Sequence, residues 1–212
     1  MKIVESKKKI TCSPVHIVTR IPSLKNGVRV ATMSRNERNV GWMLESNSSV
    51  RCYTSQPFTC ELEMDGKTRR YTPDFQVDFT DDATPLIIEV KPAKFLENLY
   101  LQRKLKIVAR ELPQLGYRFM IMTEKQIPSF IKYSNLRFLF HHHSRLPNLN
   151  IRQSVIKLVK KGITRAIYLD EYIRRNDDEQ SSVYAMISHG YLNFDASKLL
   201  DYQTPLQVSE GM

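Results

Sequence analysis

Cysteine is scarce in this chain of 212 residues: Cys12, Cys52 and Cys60 are an odd number at spacings that match no zinc template. That scarcity argues against a cysteine-built metal site, and reduced thiols in an intracellular protein are expected. No apolar run approaches the roughly 20 residues a membrane helix needs, so no membrane partner is expected. The opening residues, MKIVESKKKITCSPVHIV, lack the continuous apolar segment and small-residue cleavage site of a secretory signal, and the expected location is the cytoplasm. Tryptophan occurs once, and Trp42 is read as a core residue. What the chain does hold is apolar bulk, at 42% of residues, and positive charge, at a net +10; the first suffices for a folded core.

The charge is uneven. Residues 1–40 hold nine Lys/Arg against two Asp/Glu, residues 41–150 fifteen against twelve, and residues 151–212 eight against eight. A polyanion such as double-stranded DNA suits the basic region, because neutralised phosphates release counterions and give sequence-independent affinity. A solubilising surface excess is the alternative. The neutral tail is not expected to be a major DNA grip.

The pattern of apolar residues changes period several times along the chain. SRNERNVGWMLES (34–46) predicts a helix capped by Ser34, and VRCYTS (50–55) predicts a strand. FTCELEMDGKTRRYTPDF alternates on both sides of Asp65-Gly66, a two-residue hairpin signal. DFQVDF and LIIEVK predict two more strands joined by TDDATP. Leu101, Leu105, Val108 and Leu112 then share a helical face that Pro113 and Gly116 close. YRFMIMT is expected as a strand, KQIPSFIKYSNL as a helix broken by Pro128, and RFLFHHH as a last short strand. This order predicts an α/β fold, a mixed sheet flanked by helices.

One strand is chemically odd, since LIIEVK places Glu89 and Lys91 within an apolar run. With a turn centred near Asp82 and Ala83, an antiparallel hairpin sets Asp74 opposite Lys91 and Gln76 opposite Glu89. These four side chains then share one face, while Phe75, Val77, Leu86, Ile88 and Val90 take the other. Two converging carboxylates beside an amine can hold a hard divalent cation while the ammonium steadies a water or a phosphate. An ordinary cross-strand ion pair on a solvated face, worth about 0.2–1 kcal/mol, is the plain alternative.

The strings YTPDF and IIEVKP, preceded by SQPF and SRNER, resemble the TnsA family, the endonuclease subunit of heteromeric, Tn-seven-like transposases, within the PD-(D/E)xK nuclease superfamily. The likeness is good over roughly residues 30 to 130 and looser elsewhere. It implies a restriction-endonuclease-like core in which Asp74 and Glu89 ligate Mg²⁺, with Mn²⁺ as a substitute, and Lys91 assists the nucleophile. In the family pattern a further catalytic Glu, counted here also as a metal ligand, lies in a Ser-x-x-Glu-Arg segment nineteen residues before the Gln-Pro pair; Glu37 stands nineteen before Gln56. Ser34 to Glu37 is equally a capping box, in which the Glu ties down the helix start. The resemblance also implies cleavage of the 5′, non-transferred strands at transposon ends, beside a DDE-type transposase that cuts and joins the 3′ ends. A non-catalytic DNA-binding adaptor and a stand-alone restriction or repair nuclease are the competing readings.

Other residues are weighed on their surroundings. Glu45 is a rival ligand at the wrong spacing. Gln56 is read as a site-facing amide or as a turn former, and Lys94 as an accessory amine, a phosphate contact or a surface residue. His141, His142 and His143 are adjacent, so they cannot all face one ion, and a polar strand end is expected. After RLPNLN the last residues are expected to form a separate unit, which sets domains at 1–146 and 147–212. IRQSVIKLVKKG, TRAIYLDEYI and SSVYAMISHG read as helices and YLNFDASKLLDYQTPLQV as a two-stranded wing, together a small winged-helix domain. Its third helix carries no Lys or Arg, so a protein contact is expected over a DNA groove; the resemblance implies the regulator ATPase of transposition.

Overall fold

Residues 1–6, 18–127, 129–176 and 181–210 are described by the structure, a computed structural model. Cys12 and Pro128 lie outside them. The chain divides into two units, Met1–Pro128 and Ser129–Met212.

The first unit begins with strands β1 (Lys2–Ser6), β2 (Thr19–Ile21) and β3 (Val30–Thr32), then helix α1 (Arg35–Ser46). The Ser34 hydroxyl accepts the Glu37 N–H at 3.1 Å and so starts α1 where the sequence predicts. Trp42 is buried in that helix with Val40 and Leu44. A Cβ at Gly41 would lie 2.5 Å from Ile21 Cδ1, the far end of a side chain that would have to shift to admit it. Next come β4 (Val50–Ser55), β5 (Phe58–Met64), β6 (Lys67–Tyr71), β7 (Phe75–Phe79) and β8 (Leu86–Val90). Asp65 and Gly66 take φ of 53° and 70°, the tight turn expected between β5 and β6. A 3₁₀ turn (Ala93–Glu97) leads into α2 (Leu99–Glu111), a second (Leu112–Leu115) ends on left-handed Gly116, and β9 (Arg118–Met122) follows.

The central sheet has the order β4-β7-β8-β9, antiparallel except for the parallel β8/β9 pair. This is the mixed sheet that the element order predicts. On one face Phe75, Val77, Ile88 and Val90 pack against Val40 and Leu44 of α1. On the other, Ile87 meets Phe58, Cys60 and Leu62 of β5, Tyr71 of β6, and Val108 and Leu112. The face bearing Asp74 and Glu89 is therefore roofed rather than solvated.

The β7/β8 register differs from the expected one by two residues: Phe75 pairs with Ile88 and Gln76 with Ile87, which brings Asp74 level with Glu89. The connection is centred between Asp81 and Asp82, one residue earlier than expected, with Asp82 at φ 54°. A one-residue move of the turn shifts pairing by two, so every side chain keeps its face.

The second unit holds α3 (Phe130–His142), α4 (Leu149–Lys160), α5 (Ala166–Asn176), α6 (Val183–Ser188) and a short antiparallel pair, β10 (Leu192–Asn193) with β11 (Gln207–Val208). The expected strand RFLFHHH is instead the end of α3, and its three histidines close a helix. A short apolar run does not distinguish a strand from a helix, and the Ser129 hydroxyl, accepting the Lys132 N–H, starts this helix in the sequence's favour. That change moves the boundary from 146 to 128. Phe138 and His142 pack on the Tyr184 ring of α6, and the buried Asn135 amide donates to Lys198 O at 2.8 Å and accepts from Leu200 N at 2.9 Å. Among the described residues no helix is long and apolar enough to cross a membrane.

Candidate active site

Pro73 delivers the chain into β7, and Asp74, one residue before the strand, turns its carboxylate toward β8. Asp74 Oδ2 accepts the Val90 N–H at 2.7 Å. Lys91 follows β8 directly, and its backbone N–H is tied to Met122 O at 2.9 Å. The Lys91 ammonium lies 2.7 Å from Glu89 Oε1 and 3.6 Å from Asp74 Oδ2. Two strands and a backbone bond thus hold two carboxylates around one cation.

Glu89 is 4% exposed. Its second oxygen, Oε2, accepts the Tyr71 O–H at 2.8 Å. The Lys104 ammonium stands 5.4 Å from the Tyr71 ring centre and donates to Arg70 O. Burial raises the Tyr71 hydroxyl and the Glu89 charge adds to it, so this proton stays on oxygen. Asp74 is pushed up to about 7, first by burial and then by the Glu89 charge; Glu37 adds to the push, while Lys91 and the Val90 N–H oppose it. Burial alone would lower Lys91, but Asp74 and Glu89 outweigh it and its net shift is upward. Lys91 is therefore a firm cation between two crowded carboxylates.

Glu37 faces the same cleft, of about 780 Å³, together with Gln56, Asp74 and Lys91. Its Oε2 also accepts the Met33 N–H at 2.7 Å, so it closes the helix start and faces the site at once. Gln56 combines both of its readings. It makes the turn before Pro57 with φ 46°, a conformation costly for a non-glycine residue, and its N–H donates to Asp74 O at 2.9 Å. Lys94 is exposed outside the cleft lining, with its ammonium 5.2 Å from the Phe95 ring centre. Glu45 has no part here: it is buried, accepting from Ser23 Oγ, Leu24 N and Tyr53 Oη. His143 stacks on His189 in the second unit.

Among the described residues, no three His, Cys, Asp or Glu side chains converge as a metal cluster. Glu37, expected as a third ligand, accepts the Met33 N–H with one oxygen while lining the same cleft as Asp74. The Asp74–Glu89 pair nevertheless fits a hard cation. Both donors are carboxylate oxygens, both are largely withdrawn from water, and their mutual repulsion raises Asp74. Tyr71, Phe95 and Tyr100 were not among the sequence candidates. Tyr71 arrives from the neighbouring sheet, where its one signal is being the buried residue of an otherwise exposed strand.

No curated protein matches the chain. Residues 47–124 match the family described as TnsA-like endonuclease N terminal, a span from β4 through β9 that contains Gln56, Asp74, Glu89 and Lys91 but not Glu37. The matched strands are those that carry the carboxylate pair and its lysine, and over this span the chain is similar to a TnsA-like endonuclease N-terminal domain.

Proposed function

We propose that this protein is a metal-dependent DNA endonuclease that cuts the 5′, non-transferred strands at transposon ends, beside a DDE-type transposase and a regulator ATPase. The observation that carries the reading is the Lys91 ammonium between the Asp74 and Glu89 carboxylates, within the segment that matches the endonuclease family. Asp74 and Glu89 would hold Mg²⁺, or Mn²⁺ in its place, with Glu37 a third carboxylate in the same cleft. The bound ion would make water more acidic and offset charge gathering on the phosphate. Lys91, held as a cation, donates to a phosphate oxygen or to the attacking water and keeps it against the carboxylate pair. Tyr71 fixes one Glu89 oxygen and the Val90 N–H fixes one Asp74 oxygen, so neither must reorganise during the reaction.

The second unit is read as a winged-helix-like module that meets the regulator. In support, Val183 to Ile187 of α6 are all buried, and that helix has no basic residue to place in a groove. The basic balance of the first unit suits the DNA.

Two measurements test the proposal. Nicking of supercoiled plasmid should require Mg²⁺ or Mn²⁺, fail in Ca²⁺, and disappear in an Asp74→Ala, Glu89→Ala double variant; full cleavage by that variant would overturn the site. In the assembled transposition complex, Glu37→Ala or Asp74→Ala should shift products from simple insertions toward donor–target fusions, because the 5′ strands stay joined. Long-read sequencing would show the shift, and unchanged simple insertions would identify the chain as an adaptor.

A further inference from the structure

The cleft around the carboxylates is wider and more apolar than a phosphodiester alone can use. Beyond Glu37, Asp74 and Lys91, its walls include Met33, Val90, Pro92, Phe95, Tyr100 and Leu101. A phosphate gains from donors and charge; an apolar wall suits a flat, weakly hydrated ring. Two of these residues are aromatic and open to solvent, Phe95 at 50% and Tyr100 at 44% exposure. Single exposed apolar residues are ordinary, but these two bound one cleft from one short stretch, the 3₁₀ turn and the first turn of α2.

That stretch is held in place independently of any ligand. The Ala93 N–H donates to Glu124 Oε2 at 2.8 Å, the Phe95 N–H to Pro92 O at 2.9 Å, and the Leu101 N–H to the capping Asn98 side chain at 3.0 Å. Its charge is also in place: Lys94 sits 5.2 Å from the Phe95 ring centre, and Lys91 faces the cleft from β8. Aromatic faces flanked by amines are how proteins hold unpaired nucleobases together with their phosphates.

We propose that Phe95 and Tyr100 form a nucleobase subsite, in which an unpaired base next to the scissile phosphate stacks while Lys94 contacts the adjoining phosphate. This rests on the nuclease reading above. A base leaves the duplex at a cost that is smallest where it is already unpaired. The protein should therefore prefer DNA that offers such a base.

The test uses the full chain in Ca²⁺, which keeps the DNA uncut, and two labelled duplexes of one sequence, one fully paired and one with a single central mismatch. The mismatched duplex should bind about tenfold more tightly. A Phe95→Ala, Tyr100→Ala variant should lose that preference while holding fully paired duplex within about twofold of the unaltered protein. Phe95→Trp should keep the preference, and matching thermal unfolding of the variants would show that the fold is intact. Equal binding of both duplexes by the unaltered protein would overturn the subsite, as would a preference that survives the double variant, since the mismatch would then act only by making DNA more flexible. If Mg²⁺-dependent nicking persists in either case, the subsite fails and the nuclease reading stands; if the protein neither binds nor nicks DNA, both fall.

Discussion

Replacing Asp74 by Asn should make the metal-free protein more stable. The carboxyl is pushed up to about 7 from its ordinary 3.8, which means that the folded state resists its ionisation. A carboxyl with a raised folded pKa contributes stability that is present below about 3.8 and is lost as pH rises through about 7. The full shift corresponds to about 4 kcal/mol at alkaline pH. An Asn side chain can still accept the Val90 N–H, but its amide group needs a partner and the attraction to Lys91 is gone, so a net gain of about 1–2 kcal/mol is expected. For a unit of this size that raises Tm by roughly 3–8 °C. Thermal unfolding of both proteins in a chelator should show the difference at about pH 8 and little of it at about pH 5. Added Mg²⁺ should raise the Tm of the unaltered protein and hardly move that of the variant. A variant less stable than the unaltered protein at both pH values would refute the reasoning, because it would mean that the fold stabilises the Asp74 charge.

Three further outcomes are expected. Tyr71→Phe removes the hydrogen bond to Glu89 at a cost of about 1 kcal/mol in stability, and kcat for DNA nicking should fall about tenfold with duplex affinity unchanged; single-turnover kinetics beside a binding titration separate the two effects. A chain ending at residue 128 should fold and bind DNA with a steep salt dependence, whereas one ending at residue 146 should expose the α3 surface that packs on Tyr184 and aggregate, as size-exclusion chromatography would show. Glu45→Ala strands the Ser23 and Tyr53 hydroxyls in a buried place and should lower stability by about 2–4 kcal/mol, with plasmid nicking by the folded fraction unchanged, which denaturant titration and activity together would measure.

In the central sheet β7 was legible because FQVDF alternates, and β8 and β9 because they are short apolar runs between turn signals; between β5 and β6 the Asp65-Gly66 turn has the residues that positive φ demands. Glu89 and Lys91 stood out because charge inside LIIEVK conflicts with its apolar neighbours, and Asp74 because hairpin pairing sets it on their face. Their opposition was misjudged by two residues, since a polar loop such as TDDATP gives no sharp centre; parity preserved the face and hence the cluster. Tyr71 was not legible, because its contact with Glu89 depends on one sheet roofing another. RFLFHHH misled because three apolar residues in a row satisfy a strand and a buried helix alike. Glu37 remained ambiguous for a physical reason: the structure has it capping α1 and facing the cleft together.

Glu89 lies in β8, and Asp74 and Lys91 adjoin the ends of β7 and β8, the two innermost strands of the sheet, which is packed on both faces; Lys91 is further tied to β9 through its own backbone. Hydrogen exchange at Val90 and Lys91 should consequently be among the slowest in the first unit, near the limit set by unfolding that whole unit. On the nuclease reading proposed above, control over cutting falls on admission of the DNA strand and the ion, at the start of α1 and the 3₁₀ turn before α2 that wall the cleft, because the side chains that would receive them are already held in place.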